Sequence, residues 1–113
     1  LLLVVPHKDR TFDRKRPVTQ LNHLIESFEK DLGEDDLSHL SEILELHDWR
    51  LDPSSSNLKL FEERGKKNFE NRCLHQHVFD TKLVIEIFDY FKLEIICAET
   101  ILPHHIIVMG KKS

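Results

Sequence analysis

The stretch Asp80–Lys111, DTKLVIEIFDYFKLEIICAETILPHHIIVMGK, decides the fold because it carries the clearest hydrophobic pattern in the chain. Asp80 is a residue type that caps helices well, and the residues after it suit a helix with one covered face. Apolar side chains recur there at helical spacing over three turns: Leu83, Val84, Ile87, Phe88 and Phe91. The pattern therefore predicts a helix that starts at Asp80 and ends near Phe91.

Two strands are predicted to follow this helix. Residues alternate between two faces from Leu93 to Ile101, with the odd-numbered residues on one face and the even-numbered residues on the other. Pro103 ends that run, and His105–Met109 forms a second β-rich run before Gly110. The runs are close enough in sequence to pair antiparallel. Because one helix and one hairpin cannot bury both faces of a sheet, we expect this unit to be the edge of a larger sheet.

A third strand is predicted at the start of the chain. Leu1–Val5 is a continuous apolar run of the kind found in strands that are covered on both faces, usually within a parallel sheet. The run is far too short for a membrane span or for the apolar core of a signal peptide. We expect a fragment whose amino-terminal part lies outside this sequence.

Composition favours a small cytoplasmic domain. The 113 residues are 40% hydrophobic and include seven Phe, which is enough for a modest core. The net charge of -4 hides a basic loop at Lys8–Arg16 followed by an acidic region at Glu26–Asp48, which is a poor footprint for nucleic acid. Cys73 and Cys97 lie far apart without CxxC spacing, which favours reduced, buried thiols. We therefore predict neither a nucleic-acid nor a membrane partner.

The middle of the chain reads as a helical insertion. A polar loop runs from Pro6 to Arg16, and Pro17 is placed to begin a helix that Gly33 would cap. A second helix is predicted over Asp36–Asp48, a loop over Leu51–Asn57, and a third helix over Leu58–Cys73. The predicted organisation is one partial domain with a core strand at 1–5, a loop and helical insertion at 6–79, and a helix with two terminal strands at 80–113.

Four segments together resemble the carboxy-terminal half of bacterial class I S-adenosylmethionine-dependent methyltransferases. They are LLLVVPHKDRTFD at 1–13, LHDWRLDP at 46–53, NRCLHQHVFD at 71–80 and ILPHHIIVMGKK at 101–112. The resemblance implies an α/β fold, the C-terminal part of a Rossmann-like sheet made of a strand, a helical insertion, a helix and an antiparallel strand pair. In that fold the final antiparallel strand inserts between its neighbours. The resemblance also implies S-adenosylmethionine as cofactor and a small-molecule methyl acceptor.

The cofactor-binding motif of that family is absent from this sequence. It consists of a Gly-rich turn after the first strand and an acidic residue at the end of the second. The glycines here are isolated, at Gly33, Gly65 and Gly110. We therefore assign no cofactor-binding residue and expect the chain to be inactive without the missing cofactor-binding half.

Chemistry is expected in the loop after Val5, because ligands of open α/β sheets bind beyond the carboxyl ends of the parallel strands. A His can remove the proton of a methyl acceptor near neutral pH. Candidate catalytic residues are His7, His47, His75 and His77, and candidate substrate-binding residues are Arg10, Asp13 and Trp49. The structural alternatives are helix capping, a buried polar contact or solvent exposure for each His, a salt bridge for Arg10 and Asp13, and core packing for Trp49.

Two other functions remain open. His75 and His77 would project from one face of an extended segment, and Asp48 or His47 would complete a three-ligand metal site. The spacing of His75 and His77 is by itself weak evidence for a metal site, so we assign no metal ligand. The chain would otherwise be a non-enzymatic interaction module that forms a homodimer through the exposed sheet edge at Leu1–Val5.

Overall fold

The computed structural model of the protein describes residues 1–52 and 57–112. Within these ranges the chain is a mixed α/β protein with a three-stranded sheet and five α-helices. The strands are β1 (Leu2–Pro6), β2 (Leu93–Ile101) and β3 (His105–Lys112). The helices are α1 (Leu21–Glu29), α2 (Leu40–Leu46), α3 (Leu58–Lys66), α4 (Asn68–Asn71) and α5 (Thr81–Tyr90). Short 3-10 turns lie at Lys8–Arg10 and Trp49–Leu51.

The sheet has the order β1-β3-β2, and β3 runs antiparallel to both of its neighbours. β1 and β2 therefore run in the same direction, although neither pairs with the other. Val4 lies opposite Ile107 in one ladder, and Thr100 lies opposite Ile106 in the other. The predicted antiparallel pairing of the last two strands is confirmed. Among the described residues β1 pairs with β3 alone, and this ladder is antiparallel, so no parallel partner of β1 is found in this part of the chain.

Helix α5 covers one face of the sheet, as its apolar stripe predicted. The Asp80 carboxylate accepts a hydrogen bond from the backbone N–H of Leu83 at 2.8 Å and caps the helix. Val84 and Phe88 then pack against β3 in a core of four fully buried side chains: Val84, Phe88, Ile106 and Val108. Gly110 belongs to this face, because a Cβ there would lie 2.7 Å from the Phe88 ring. The helix and the central strand are thus packed closely enough to exclude a methyl group.

The opposite face of the sheet is uncovered within the described residues, and several of its side chains are apolar. The register places Leu2, Met109 and Cys97 in one row and Val4, Ile107 and Glu99 in the next. Leu2 is 57% exposed, Val4 49% and Met109 42%. The prediction that β1 is covered on both faces is therefore wrong for this part of the chain, and no strand among the described residues pairs with its outer edge.

A β-bulge changes the predicted faces of β2. The register shifts between Ile95 and Cys97, so that Ile95 lies opposite Gly110 while Cys97 lies opposite Met109. Because one extra residue reverses the alternation, Leu93 and Ile95 lie on the face covered by α5 and Cys97 lies on the uncovered face. The prediction that all the odd-numbered residues share a face is therefore wrong.

The helical insertion has a core of its own, made by Leu40, Ile43, Phe61 and Leu74. Its helices are shorter than predicted. Helix α1 begins at Leu21 rather than at Pro17, and α2 spans only Leu40–Leu46. The predicted third helix is divided into α3 and α4 at Lys67.

The end of α1 also differs from its prediction. The chain turns at Asp31, which has a φ of 52°, and the backbone N–H groups of Asp31 and Leu32 bond back to Phe28 and Ser27. This is a Schellman motif with Asp31 at the position that was predicted for Gly33, since Asp tolerates the left-handed conformation.

Three further expectations concern the loop, the thiols and the membrane. Of the predicted loop Leu51–Asn57, residues 53–56 lie outside the described residues. Cys73 and Cys97 are both free thiols, as predicted, but they are half-buried rather than buried. No helix in the described ranges combines the length and the apolar composition that a membrane crossing requires.

Candidate functional site

A cleft of about 510 Å³ lies beyond the carboxyl end of β1, where the sequence predicted a ligand site. We call it the β1 cleft. Its floor is the end of β1, and its walls come from the loop after β1, from the segment before α5 and from the start of β3. The lining residues are Val4, Val5, Pro6, Arg10, Thr11, Phe12, Leu51, His75, His104 and His105.

A histidine–carboxylate pair lies in the wall of the β1 cleft. Nδ1 of His75 is 2.5 Å from Oδ2 of Asp13, and the His75 side chain remains 38% exposed. Nδ1–H of His75 donates a hydrogen bond to the Asp13 carboxylate, which leaves Nε2 as the basic nitrogen of the neutral ring. The ring of Phe12 stacks on that of His75 with centroids 4.8 Å apart, which restricts its orientation. The pair therefore has the parts of a general base: an oriented, partly exposed imidazole with a fixed tautomer.

Arg16 holds the other side of the Asp13 carboxylate. Its side chain is only 1% exposed, and Nη1 donates to Oδ1 of Asp13 at 2.9 Å and to the backbone carbonyl of His75 at 2.8 Å. Nε donates to Oε1 of Glu42 on α2 at 2.9 Å. One guanidinium therefore ties the loop after β1 to the insertion and to the segment that carries His75.

The electrostatics of Asp13 follow from these contacts. Burial alone would raise the pKa of the Asp13 carboxyl, but the hydrogen bonds and charges of His75 and Arg16 outweigh burial and lower the pKa. Asp13 is therefore ionised at neutral pH. Because both of its oxygens are engaged and its side chain is 5% exposed, it orients His75 instead of contacting a ligand.

His47 lies behind the β1 cleft in an aromatic core. Its side chain is buried, its Nε2 is 2.9 Å from Oδ2 of Asp52, and no hydrogen-bond partner for its Nδ1 is found among the described residues. The rings of Phe12, Trp49 and Phe61 surround it at centroid distances of 4.6, 4.4 and 4.8 Å. Trp49 packs on the insertion core rather than lining the cleft. His47 thus makes a buried polar contact and Trp49 packs in the core, which are the structural roles given above as alternatives to catalysis and substrate binding.

The two remaining candidates in the loop after β1 are His7, which caps a turn, and Arg10, which is exposed. Nδ1 of His7 accepts a hydrogen bond from the backbone N–H of Asp9 at 3.2 Å and caps the 3-10 turn. The backbone of His7 donates to the carbonyl of His104 at 2.7 Å, which holds the loop against the β2–β3 turn. Arg10 is exposed at the mouth of the β1 cleft. Among these residues, Arg10 is the cation that a ligand in the cleft would meet.

His75 and His77 do not share a site, although they are two residues apart. His75 bonds to Asp13, whereas Nε2 of His77 lies 3.4 Å from Oγ of Ser27 on α1. Asp48 is engaged by Arg14 and Arg50. The described residues therefore do not bring together the metal set of His75, His77 and Asp48 or His47 that the sequence suggested.

Sequence reasoning missed several residues of the site. Arg16 sits in a basic run that resembles a solvated loop, and nothing local shows that it is buried. His104 and His105 also line the cleft, and the centroids of their rings lie 4.5 Å apart. The one signal that could have directed attention to such sites is the total of eight histidines in 113 residues.

Comparisons with models of protein families, with curated proteins and with solved structures found no match to this chain. The chemistry of the β1 cleft therefore has to be inferred from its residues and from the strand order beside it.

Proposed function

We propose that this chain is the carboxy-terminal portion of a class I S-adenosylmethionine-dependent methyltransferase, in which it supplies a sheet edge and the wall of the acceptor site. One observation carries the proposal. β3, the last strand in sequence, lies between two strands that run parallel to each other, and it is antiparallel to both. This is the strand arrangement that the family resemblance implies for the end of its sheet.

The uncovered parts of the sheet support the same proposal. The apolar side chains of Leu2, Val4 and Met109 are exposed on the uncovered face, and the outer edge of β1 offers unpaired backbone groups in the described residues. A strand added parallel to β1, with helices on the uncovered face, would satisfy both features, because sheets of this class are covered on both sides. The proposed occupant of this surface is the cofactor-binding half of the same sheet.

The residues of this chain do not fit S-adenosylmethionine. A nucleotide-type cofactor needs a close backbone approach at a Gly-rich turn, and none of the three glycines, Gly33, Gly65 and Gly110, lies in such a turn. Gly65 is buried against Leu40 and Leu74, and Gly110 lies under Phe88. We therefore assign no cofactor contact to this chain.

The contribution of this chain is the acceptor site. A hydroxyl or amine held in the β1 cleft would donate its hydrogen bond to Nε2 of His75, and His75 would take the proton while Asp13 stabilises the imidazolium. Arg10 at the cleft mouth would attract an anionic group on the same molecule. The predicted substrate class is a small polar acceptor that carries a hydroxyl or amine beside a negative charge.

The test uses the natural gene product that contains this chain. Methyl transfer from labelled S-adenosylmethionine is measured for the wild type, for His75→Ala and for Lys30→Ala, whose exposed side chain pairs with Glu26 away from the cleft. We expect His75→Ala to lose at least a hundredfold in kcat/KM, within the range of general-base catalysis. Lys30→Ala should be unchanged. The proposal would be contradicted if the natural protein binds no S-adenosylmethionine, or if no strand of that protein pairs with the outer edge of β1.

A homodimeric interaction module is the second candidate, and the exposed outer edge of β1 favours it. In that case two copies pair through β1, and sedimentation velocity of the natural protein shows a dimer. Val4→Lys should dissociate this dimer, because Val4 is exposed beside that edge. If the methyltransferase proposal is correct, we expect instead that the outer edge of β1 pairs with another strand of the same natural protein and that no such dimer forms.

A further inference from the structure

Three histidines that do not line the β1 cleft meet within the insertion. His23 lies in the first turn of α1, His39 is the residue before α2, and His77 lies between α4 and α5. One ring nitrogen from each lies within 4.8 Å of those of the other two, and all three side chains are half-buried. We call this group the histidine triad. Its members are far apart in sequence, so the fold, not a local motif, brings them together.

One pair of the triad already has the spacing of metal ligands. A tetrahedral Zn²⁺ with Zn–N bonds of about 2.0–2.1 Å holds its ligand nitrogens about 3.3 Å apart. Nε2 of His23 and Nε2 of His39 are 3.2 Å apart. The ring centroid of His77 is 5.5 Å from that of His23 and 5.6 Å from that of His39. One of its ring nitrogens lies within 4.8 Å of those of both, so His77 is the third member of the set.

The protonation states of His39 and His77 are compatible with a bound cation. Burial, together with the charge of the neighbouring histidines, lowers the pKa of His39 and of His77. Their rings are therefore neutral at neutral pH, as metal-binding imidazoles must be. The positive charge of Arg16 would repel a cation bound near these rings, but Asp13 and Glu42 balance that charge. The Asp36 carboxylate favours positive charge on both rings, since it acts to raise the pKa of His39 and of His77.

The surroundings of the triad provide both support and access. Oγ of the buried Ser27 lies 3.4 Å from Nε2 of His77 and makes a polar contact with that ring. His23 and His39 line an open cleft of about 460 Å³, which leaves room for a fourth ligand. Gln76 lines the same cleft, and its Oε1 is buried with no hydrogen-bond partner among the described residues. A water on a bound ion would give that oxygen a donor.

We propose that His23, His39 and His77 form a site for a single divalent transition-metal ion of the Zn²⁺ class, with a fourth position open to solvent. Imidazole nitrogens select such ions over Mg²⁺ and Ca²⁺, which prefer oxygen ligands. Because the ion would join α1, α2 and the segment before α5, it stabilises the insertion when it binds. The site is separate from the β1 cleft, and the inference does not rest on the methyltransferase proposal.

The test is Zn²⁺ binding by untagged protein from which metal has been removed with a chelator. Isothermal titration is expected to show one Zn²⁺ per chain, and differential scanning fluorimetry is expected to show a rise in Tm with Zn²⁺ but not with Mg²⁺. His39→Ala and His77→Ala should each weaken Zn²⁺ binding at least tenfold. His104→Ala is the matched control, because it removes a histidine outside the triad, and it should bind Zn²⁺ as the wild type does.

A second measurement needs no substitution and so does not depend on a variant that folds. Zn²⁺ should shift the imidazole ¹⁵N resonances of His23, His39 and His77 in the NMR spectrum of the wild type and leave those of His7 and His104 in place. Replacement of Zn²⁺ by Co²⁺ should give the intense visible bands of a four-coordinate site. Absence of saturable Zn²⁺ binding, equal binding by His39→Ala and wild type, or resonance shifts outside the triad would each overturn the proposal.

Discussion

Replacement of Asp13 by Asn should destabilise the protein strongly, because it leaves the charge of Arg16 without its buried partner. The guanidinium is 1% exposed and donates to Asp13 at 2.9 Å. Removal of one partner of a buried ion pair costs about 3–5 kcal/mol. Glu42 and the His75 carbonyl still accept from Arg16 in the variant, so we expect a loss near the low end, about 3 kcal/mol. That is a large fraction of the stability of about 5–15 kcal/mol that domains usually have.

The assay is urea denaturation followed by the fluorescence of Trp49, the one Trp in the chain, with far-UV circular dichroism as a second probe. The m-value should stay constant while the midpoint falls. Glu26→Gln serves as the control, since it breaks the pair with Lys30 on an exposed helix surface and should leave the midpoint unchanged. A midpoint for Asp13→Asn within error of wild type would show that Arg16 is not held as described.

Two further predictions concern pH and packing. The pKa of Asp13 lies below its ordinary value of 3.8, so its ion pair contributes stability above that pH and loses it as the pH falls through the lowered pKa. The stability difference between wild type and Asp13→Asn, measured by urea denaturation across pH, should therefore narrow below pH 3.8, and a constant difference would refute this. Gly110→Ala should destabilise by about 1–3 kcal/mol, because the new Cβ would overlap the buried Phe88 ring. Thermal unfolding measures both this variant and the control Gly33→Ala, in which the nearest atom to the new Cβ is 3.4 Å away. Gly33→Ala should change the Tm little, and equal changes in Tm for the two variants would contradict the packing described.

The ends of the chain were predictable because their patterns are local. The stripe that begins after Asp80 predicts α5 and the face that it buries, and Pro103 separates two β-rich runs that do pair antiparallel. The faces of β2 were not predictable, because the bulge between Ile95 and Cys97 depends on how that strand is paired. The end of α1 at Asp31 was missed because Gly33, two residues later, has the stronger intrinsic preference for a helix cap.

The sites were less predictable than the elements, because long-range packing assembles them. His75 was a candidate by composition alone, and only the fold shows that Asp13 orients it across 62 residues. His77 was grouped with His75 because of its spacing, but it turns to His23 and His39 instead. No period or spacing in the sequence joins these three, because they come from different elements.

Arg16 connects the two histidine sites. It donates to Asp13 and to the backbone of His75 on one side, and on the other to Glu42, which lines the cleft beside His23 and His39. The charge of Arg16 also contributes to the lowered pKa values of His39 and His77. The buried guanidinium thus positions Asp13 and the backbone of His75 through hydrogen bonds, and its charge acts on the rings of His39 and His77. Since a bound cation would add positive charge near Arg16, the carboxylates of Asp13 and Glu42 matter to both groups of histidines, because they balance the charge of the one arginine that lies between them.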